Sequence, residues 1–326
     1  MYKTAMRLAL FVSLLSIYLY ANESFKLFYD GWQAQNDGQY EKAIELYKKA
    51  SKEGSAAAQF HLSNMYEDGL GVERDYEKAS TGYKELAEHG YVKAQYLLAK
   101  MYESGMGVVQ DNKKAFYWYK KAADSGMVSA QLKLANMYKE AIGVKSSLVK
   151  SVKYYKEAIK LGSLEARTEL SLLYINEKQL YKYYEEGKRL LISSAKKGEV
   201  KSQYLLSQYY LGSKDFKKDY KSALYWLEEA AKKGHAKAQY ELGRMYLNAE
   251  YVDLDYNKAV KYIKLSALQG YSSAQYDLGI IFYKGIGVQA DKKKAFEYWS
   301  KAAENGDMDA KHNLAVLCNT SPAICK

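Results

Sequence analysis

Apolar residues recur at every third or fourth position through most of this 326-residue chain, in short stretches separated by polar residues and glycine. That spacing is the period of an amphipathic helix and differs from the strict alternation of a strand. Pro322 is the single proline, so no proline breaks a helix before it. The pattern predicts an all-α fold of uninterrupted helices joined by glycine-containing turns.

Glycine recurs at a constant interval of 36 residues. The eight positions are Gly54, Gly90, Gly126, Gly162, Gly198, Gly234, Gly270 and Gly306. A strict period of this length is typical of proteins built from stacked repeats. Positions within each repeat are therefore numbered from its glycine, which is position 0.

Each repeat carries two helical stripes. In the first helix, helix A, position 4 is small, position 8 is leucine, position 9 is small and position 12 is aromatic, so these side chains share one face. The small position 9 predicts close approach of a neighbouring helix. Helix B follows, with a small residue at position 25, a large one at position 29 and mostly alanines at positions 32 and 33. We expect the next glycine to end helix B in a left-handed conformation.

The loop between the two helices reads G-x-G-V in several repeats, as at 69–72. Repeats four to six carry EKQL, SKDF and AEYV instead, which predicts a different loop shape there.

These motifs resemble the Sel-one-like repeat family, a relative of the tetratricopeptide repeats. The A-x-x-x-L-(small)-x-x-Y stripe, the G-x-G-V loop and the A-x-x-x-(Y/W) helix carry the resemblance, over about residues 54–306. It implies a right-handed α/α solenoid of antiparallel helix pairs, with helix A lining a concave face.

Four segments are predicted along the chain. They are a signal peptide (1–21), an N-terminal cap with a shorter loop that resembles a plain tetratricopeptide unit (22–53), seven Sel-one-like repeats (54–305) and a C-terminal capping helix with its tail (306–326). Terminal units of a repeat array are expected to be atypical, because their outer faces meet water.

The first segment has the features of an export signal. Lys3 and Arg7 precede an apolar run over 8–21, and Ala21 is a suitable small residue before a cleavage site. Cleavage after Ala21 predicts a periplasmic or secreted protein with no membrane span in its mature chain. Leu19 is bulkier than usual at its position, so retention of the segment as an anchor is the alternative.

The charge balance bears on the partner. The formal net charge is +11, and without Lys3 and Arg7 there remain 47 basic against 38 acidic residues, a net +9. An exported basic chain is expected to meet an acidic protein or peptide, or an acidic cell-envelope polymer, rather than nucleic acid.

Residue patterns for catalysis or metal binding are weak. The four histidines are far apart, no phosphate loop or hydrolase motif occurs, and no cofactor, metal or catalytic residue is expected. Ser-x-x-Lys occurs three times, at Ser147/Lys150, Ser193/Lys196 and Ser194/Lys197. Such pairs are common in helices rich in serine and lysine.

Two hypotheses on function remain open. The first is a scaffold that holds a protein or peptide in its concave groove without catalysis. The alternative is a penicillin-binding or weak β-lactamase-type hydrolase, the label often given to the cysteine-rich members that this chain resembles. Those relatives carry a cysteine pair in nearly every repeat, and this chain does not.

Positions 6 and 10 of helix A are the candidate binding positions, because the resemblance places them on the concave face. The candidates are Asn64, Tyr96, Lys100, Asn136, Tyr204, Gln208, Tyr240, Arg244 and Tyr276. Tyrosine beside amide and cationic side chains suits recognition of peptide backbone and carboxylates. A solvated helix face is the alternative interpretation.

The two cysteines, Cys318 and Cys325, are expected to form a disulfide in an oxidising compartment. Pro322 lies between them and would turn the chain back. Two free thiols on a loose tail are the alternative.

Overall fold

A computed structural model describes residues 23–212 and 218–325, and all regular secondary structure in these residues is helical. The chain divides into two compact units, Met1–Ser163 and Leu164–Lys326. The predicted signal peptide lies outside the described residues. Among those described, no helix combines the length and apolar character that crossing a membrane would require.

The N-terminal unit contains eight helices in its described part. They are α1 (23–36), α2 (Tyr40–Lys52), α3 (Ala56–Asp68), α4 (Tyr76–Glu88), α5 (Val92–Ser104), α6 (Asn112–Asp124), α7 (Val128–Glu140) and α8 (Leu148–Lys160). Consecutive helices from α2 to α8 pack against each other. Residues 37–39 join α1 to α2, a shorter connection than residues 69–75 between α3 and α4.

The C-terminal unit continues the same alternation. Its helices are α9 (Leu164–Asn176), α10 (Tyr184–Lys196), α11 (Val200–Gly212), α12 (Tyr220–Lys232), α13 (Ala236–Asn248), α14 (Tyr256–Leu268), α15 (Ser272–Lys284), α16 (Lys292–Glu304) and α17 (Met308–Thr320). Short 3-10 segments occupy Lys178–Tyr183 and Pro322–Ile324. Within this unit, too, each helix packs on the next, which confirms the predicted solenoid-type stacking of helix pairs.

Each B helix has a defined start and stop. A capping side chain accepts a hydrogen bond from the first turn, as Asp75 does from the backbone N–H of Lys78 at 2.9 Å. Most B helices begin this way: the caps are Asp75, Asp111, Ser147, Asp219, Asp255 and Asp291. The period glycine then follows the helix with φ between +84° and +91°, which confirms the predicted left-handed stop.

The core repeats with the sequence. Ala94 and Leu98 on helix A and Tyr119 on helix B are fully buried. Position 9 is small because a helix B side chain lies against it: a Cβ on Gly279 would come within 2.4 Å of the Trp299 ring. The predicted close approach at position 9 is therefore confirmed.

A buried glutamine at position 5 ties four of the A helices to the helix B before them. Gln95, Gln203, Gln239 and Gln275 donate from Nε2 to the backbone carbonyl at position 33 of the preceding repeat, at 3.0–3.3 Å. The last carbonyls of a helix have no partner inside that helix. This one also accepts the backbone N–H of the period glycine at 3.0–3.1 Å, so the glutamine adds a second hydrogen bond to it at the joint between two repeats.

The inter-helix loop lies against the start of the preceding helix B. Gly107 has φ +67°, and a Cβ there would meet the Tyr76 carbonyl oxygen at 2.0 Å. Where the G-x-G-V pattern is lost, Tyr251 occupies the same repeat position with φ +61° and stacks on Tyr220, ring centroids 4.4 Å apart. Repeat four has the 3-10 segment instead, so the predicted difference in loop shape is confirmed there. In repeat six the prediction is wrong, because Ala249 and Tyr251 adopt the left-handed backbone that the glycines have in the G-x-G-V loops. SKDF falls outside the described residues.

The tail turns back after α17. Pro322 opens the 3-10 segment, and Ile324 packs against the core of the C-terminal unit. The Cα atoms of Cys318 and Cys325 are 5.6 Å apart, with their Sγ atoms at bonding distance. This is the separation that a disulfide needs.

We predict that Gly107→Ala destabilises the protein more than Gly90→Ala. Both glycines have positive φ, but the space around Gly90 is open to 4 Å. Gly90→Ala should therefore cost about 1 kcal/mol for the left-handed backbone alone. Gly107→Ala should cost a further 1–3 kcal/mol, approximately, because the loop must move off helix α4. Urea unfolding of the two variants measures the difference, and equal losses would contradict the assigned contact.

Candidate functional site

The candidate site in each unit is its A face, which we define as positions 6, 7, 10 and 13 of the A helices. These helices are α3, α5 and α7 in the N-terminal unit and α9, α11, α13, α15 and α17 in the C-terminal unit. The nine candidate residues belong to this face, four in the N-terminal unit and five in the C-terminal unit. Their contacts show how much of the face is engaged within the protein itself.

In the N-terminal unit, tyrosines of the B helices form hydrogen bonds with side chains of the A face. The Tyr83 hydroxyl lies 2.6 Å from both Asn64 Oδ1 and Glu67 Oε2. The Tyr155 hydroxyl donates to Asn136 Oδ1 at 2.5 Å. The side-chain oxygens of both asparagines thus have partners inside the protein.

A carboxylate joins two A helices of this unit. Glu103 Oε2 accepts from the Tyr119 hydroxyl at 2.6 Å, and Lys133 of the next A helix donates to both Glu103 oxygens at 3.0 and 3.1 Å. Burial, followed by the bond to Glu103, raises the pKa of Tyr119 far above its ordinary value. Tyr96 packs its ring on Tyr119, centroids 5.5 Å apart.

In the C-terminal unit the tyrosines come from helix A itself. Tyr204 is only 9% exposed, and its hydroxyl donates to Glu241 Oε1 at 2.8 Å. Gln208 Nε2 donates to the other oxygen of Glu241 at 2.7 Å. A carboxylate at position 7 therefore accepts hydrogen bonds from the position 6 and position 10 side chains of the preceding A helix.

The next step along the chain repeats this arrangement. The Tyr240 hydroxyl donates to Asp277 Oδ2 at 3.0 Å, and Arg244 lies over the Tyr240 ring, 5.9 Å from its centroid. Burial, aided by the negative charge of Asp277, raises the pKa of Tyr240 to about 12. Burial also raises the pKa of Asp277, against the opposing effects of the Tyr240 hydrogen bond and Arg244.

The cationic candidates are the most accessible. Lys100 and Arg244 are both exposed, one in each unit. They can meet an acidic partner without first breaking a buried contact. The remaining candidate, Tyr276, is half-buried and lines a cleft.

This cleft lies between α15, α16 and α17 and has a volume of about 280 Å³. Its lining residues are Tyr276, Ile280, Tyr283, Lys284, Trp299, Asn313, Val316 and Leu317. Trp299 forms part of the lining, and its indole N–H donates to the Tyr276 backbone carbonyl at 3.1 Å. Val316 is 46% exposed, so part of the apolar lining is open to solvent.

Sequence reasoning missed two groups of residues on the A face. The first is the position 7 carboxylates, Glu241 and Asp277, whose role depends on a tyrosine one repeat earlier. The second is the cleft, where position 10 becomes apolar at Ile280 and Val316 in two successive A helices. An alignment of the repeats at position 10 would have revealed this change.

The three Ser-x-x-Lys serines are engaged in structural contacts. Ser147 caps α8, Ser193 accepts from Arg167, and Ser194 is fully buried and donates to the Leu164 carbonyl. The Ser194 hydroxyl also lies 3.1 Å from the Thr168 hydroxyl, within a group of buried hydroxyl side chains.

Two histidines also have structural contacts. His235 caps α13 by accepting the Ala238 backbone N–H at 3.1 Å, and His61 packs between Phe28 and Tyr47. Burial lowers the pKa of both imidazoles. Across residues 23–212 and 218–325, histidine, cysteine and carboxylate side chains form no cluster of three that could hold a metal ion.

Stacked helix pairs and a long row of A-helix side chains define a class of α/α repeat protein. The Sel1 repeat sequence profile matches residues 15–55, 56–79, 92–127, 128–163, 200–235, 236–271 and 272–307. The chain belongs to the Sel1 repeat family. The first match overlaps the predicted signal peptide, and residues 164–199, with their 3-10 segment, fall outside the matches.

Solved structures show the same architecture. A Sel1 repeat protein from Oxalobacter formigenes is 28% identical, with a TM-score of 0.77 over 94% of this chain and 91% of that one. The protein c5321, a protective antigen of uropathogenic Escherichia coli strains, is 26% identical, with a TM-score of 0.65 over 95% and 67%.

A curated relative matches over a shorter stretch. The exopolysaccharide production negative regulator of Rhizobium leguminosarum bv. viciae is 43% identical over 51 residues, which are 16% of this chain and 19% of that protein. The chain thus matches about a fifth of that relative's length.

We predict a specific pH dependence for Asp277. Because burial raises its pKa in the folded protein, its favourable contribution to stability is complete in acid and is lost as the pH rises through that raised pKa. The stability of wild type relative to Asp277→Asn should therefore fall from acid towards neutral pH. Urea unfolding across this range measures it. Glu297→Gln, at an exposed site on α16, controls for loss of a carboxylate, and a pH-independent difference for Asp277→Asn would contradict the prediction.

Proposed function

We propose that this protein is an exported scaffold whose A face binds an acidic protein or peptide without catalysing a reaction. The observation that carries the proposal is the A face itself. Its tyrosines and amides are held in place by hydrogen bonds, while the cationic groups Lys100 and Arg244 remain exposed. A pre-ordered surface loses little side-chain entropy on binding.

The charge of the chain supports an acidic partner. The net charge of +9 that remains without Lys3 and Arg7, 47 basic against 38 acidic residues, favours association with acidic molecules at moderate ionic strength. An acidic envelope polymer has the same charge but lacks the alternating apolar groups of a peptide. The apolar cleft beside α15 therefore favours a peptide or protein.

Export is part of the proposal. The basic start, the apolar run over 8–21 and Ala21 support it. The position of the two cysteines agrees with folding in an oxidising compartment, where a Cys318–Cys325 disulfide would hold the tail on α17.

We predict that the double variant Lys100→Ala and Arg244→Ala captures an acidic partner from envelope extract more weakly and with less dependence on salt. Each lost charge should cost up to about 1 kcal/mol of binding, because both side chains are exposed. Quantitative pull-down at two salt concentrations measures the effect, with helicity checked by circular dichroism.

The matched control removes two exposed lysines from B helices, Lys84→Ala on α4 and Lys261→Ala on α14. It changes the net charge by the same amount. Equal losses in both double variants would attribute binding to overall charge and not to the A face. Steady turnover of a chromogenic cephalosporin, abolished by one side-chain change, would contradict the scaffold proposal and support the hydrolase.

We predict that protein recovered from the periplasm has no alkylatable cysteine before reduction and two after it. A seven-residue separation closes a short loop, so the disulfide should add at most about 2–3 kcal/mol and should act chiefly against fraying of α17. Mass analysis after alkylation under non-reducing conditions decides this. Two modified cysteines would show a free tail.

A further inference from the structure

We propose that the cleft between α15, α16 and α17 is the primary anchoring site for the partner, and that it takes one large apolar side chain next to a carboxylate. This inference rests on the proposed function and specifies which chemistry the A face selects. It follows from an arrangement that the C-terminal unit makes twice within itself and leaves incomplete at its last helix.

The complete arrangement joins a position 6 tyrosine to a position 7 carboxylate of the next A helix. Tyr204 donates to Glu241, and Tyr240 donates to Asp277. The same geometry would continue from Tyr276 to position 7 of α17. That residue is Asn313, which is uncharged.

Tyr276 is consequently left without the carboxylate that its counterparts have. Its hydroxyl has no hydrogen-bond partner among the described residues, whereas the Tyr204 and Tyr240 hydroxyls are each engaged. The Asn313 amide can donate, and the Lys284 ammonium lies at the rim of the same cleft. Three residues with donor groups therefore line one cleft, and an uncharged amide occupies the repeat position where α13 and α15 carry a carboxylate.

The charges of the lining favour an anion. Its eight residues include a lysine and, in the part of the chain that the structure describes, no aspartate or glutamate. Hydrogen bonds from these donors to a carboxylate would be charge-assisted and stronger than those to a neutral amide. The carboxylate can belong to an acidic side chain or to a chain terminus.

The apolar part of the cleft determines which side chain of the partner lies next to its carboxylate. Ile280 and Val316 line it at position 10, where the A helices α3, α5, α7, α11 and α13 carry polar side chains, and Trp299 of α16 adds to the apolar lining. The volume of about 280 Å³ is just below the range of about 300–1,000 Å³ typical of small-molecule sites. A single aromatic or large aliphatic side chain fits this space, and such anchors contribute most of the affinity of an interface.

The test uses three capped peptides, acetyl-Gly-Phe-Glu-Gly-amide and its variants with glutamine for glutamate or alanine for phenylalanine. The full chain is labelled with ¹⁵N at tryptophan, and the indole N–H signal of Trp299 is followed. Trp32, Trp118 and Trp226 lie outside the cleft and serve as internal controls. We expect the Phe-Glu peptide to shift the Trp299 signal with a Kd of about 1 mM, and both variant peptides to bind at least about tenfold more weakly.

Asn313→Asp is the decisive variant, because it supplies to Tyr276 the carboxylate that Glu241 and Asp277 supply elsewhere. It should abolish the response to the Phe-Glu peptide while the protein remains folded. Asn257→Asp adds the same charge at the exposed start of α14 and should leave the response unchanged. Tyr276→Phe should remove most of the discrimination between glutamate and glutamine.

Three results would overturn the inference: no saturable Trp299 shift below about 10 mM peptide, equal responses to the three peptides, or an unchanged response in Asn313→Asp. If partner capture still depends on Lys100 and Arg244 in that case, the scaffold proposal stands and the cleft assignment alone fails. If the wild-type protein captures no partner from envelope extract but still responds to the Phe-Glu peptide, the scaffold proposal fails. The cleft then remains a site for an apolar acid.

Discussion

The joint between consecutive repeats is the constraint on which the rest of each unit depends. At this joint the chain leaves helix B through a left-handed glycine, and one carbonyl at the end of helix B accepts both the glycine N–H and a buried glutamine side chain of the next helix A. One such glutamine bond contributes about 1 kcal/mol, and its geometry orients the helix that carries the glutamine. The bond therefore fixes the rotation of helix A as well as its distance, and the same rotation recurs wherever the glutamine recurs.

A constant rotation is what allows side chains of separate repeats to meet. Tyr204 and Glu241 are 37 residues apart, as are Tyr240 and Asp277, and both pairs form because the A helices repeat the same placement. The N-terminal unit uses helix B tyrosines for the same purpose, with Tyr119 and Lys133 converging on Glu103. In each unit the A face is thus a hydrogen-bonded surface whose geometry is fixed before any partner arrives.

The sequence predicted the helices, their period and the packing positions because each of these depends on residues within one repeat. Gly243 and Gly279 had to be small, and the structure shows Ile263 and Trp299 against them. The partners of Asn64 or Tyr204 could not be predicted in the same way, since those partners belong to another helix or another repeat. Gln239 was overlooked for a related reason: a glutamine suggests solvent, and only the carbonyl beside it explains its burial.

The proposed selectivity depends on a departure from repetition within the C-terminal unit. Inside the C-terminal unit two A-helix tyrosines, Tyr204 and Tyr240, donate to a carboxylate of the following A helix. On α17 the corresponding residue is Asn313, which does not continue the series of acids. Donors that would elsewhere be satisfied internally are available there, beside an apolar surface that Trp299 and Val316 leave partly open. The regular repeats therefore provide a rigid support. Asn313, which replaces the acid of the preceding repeats, provides the selectivity for a carboxylate of the partner.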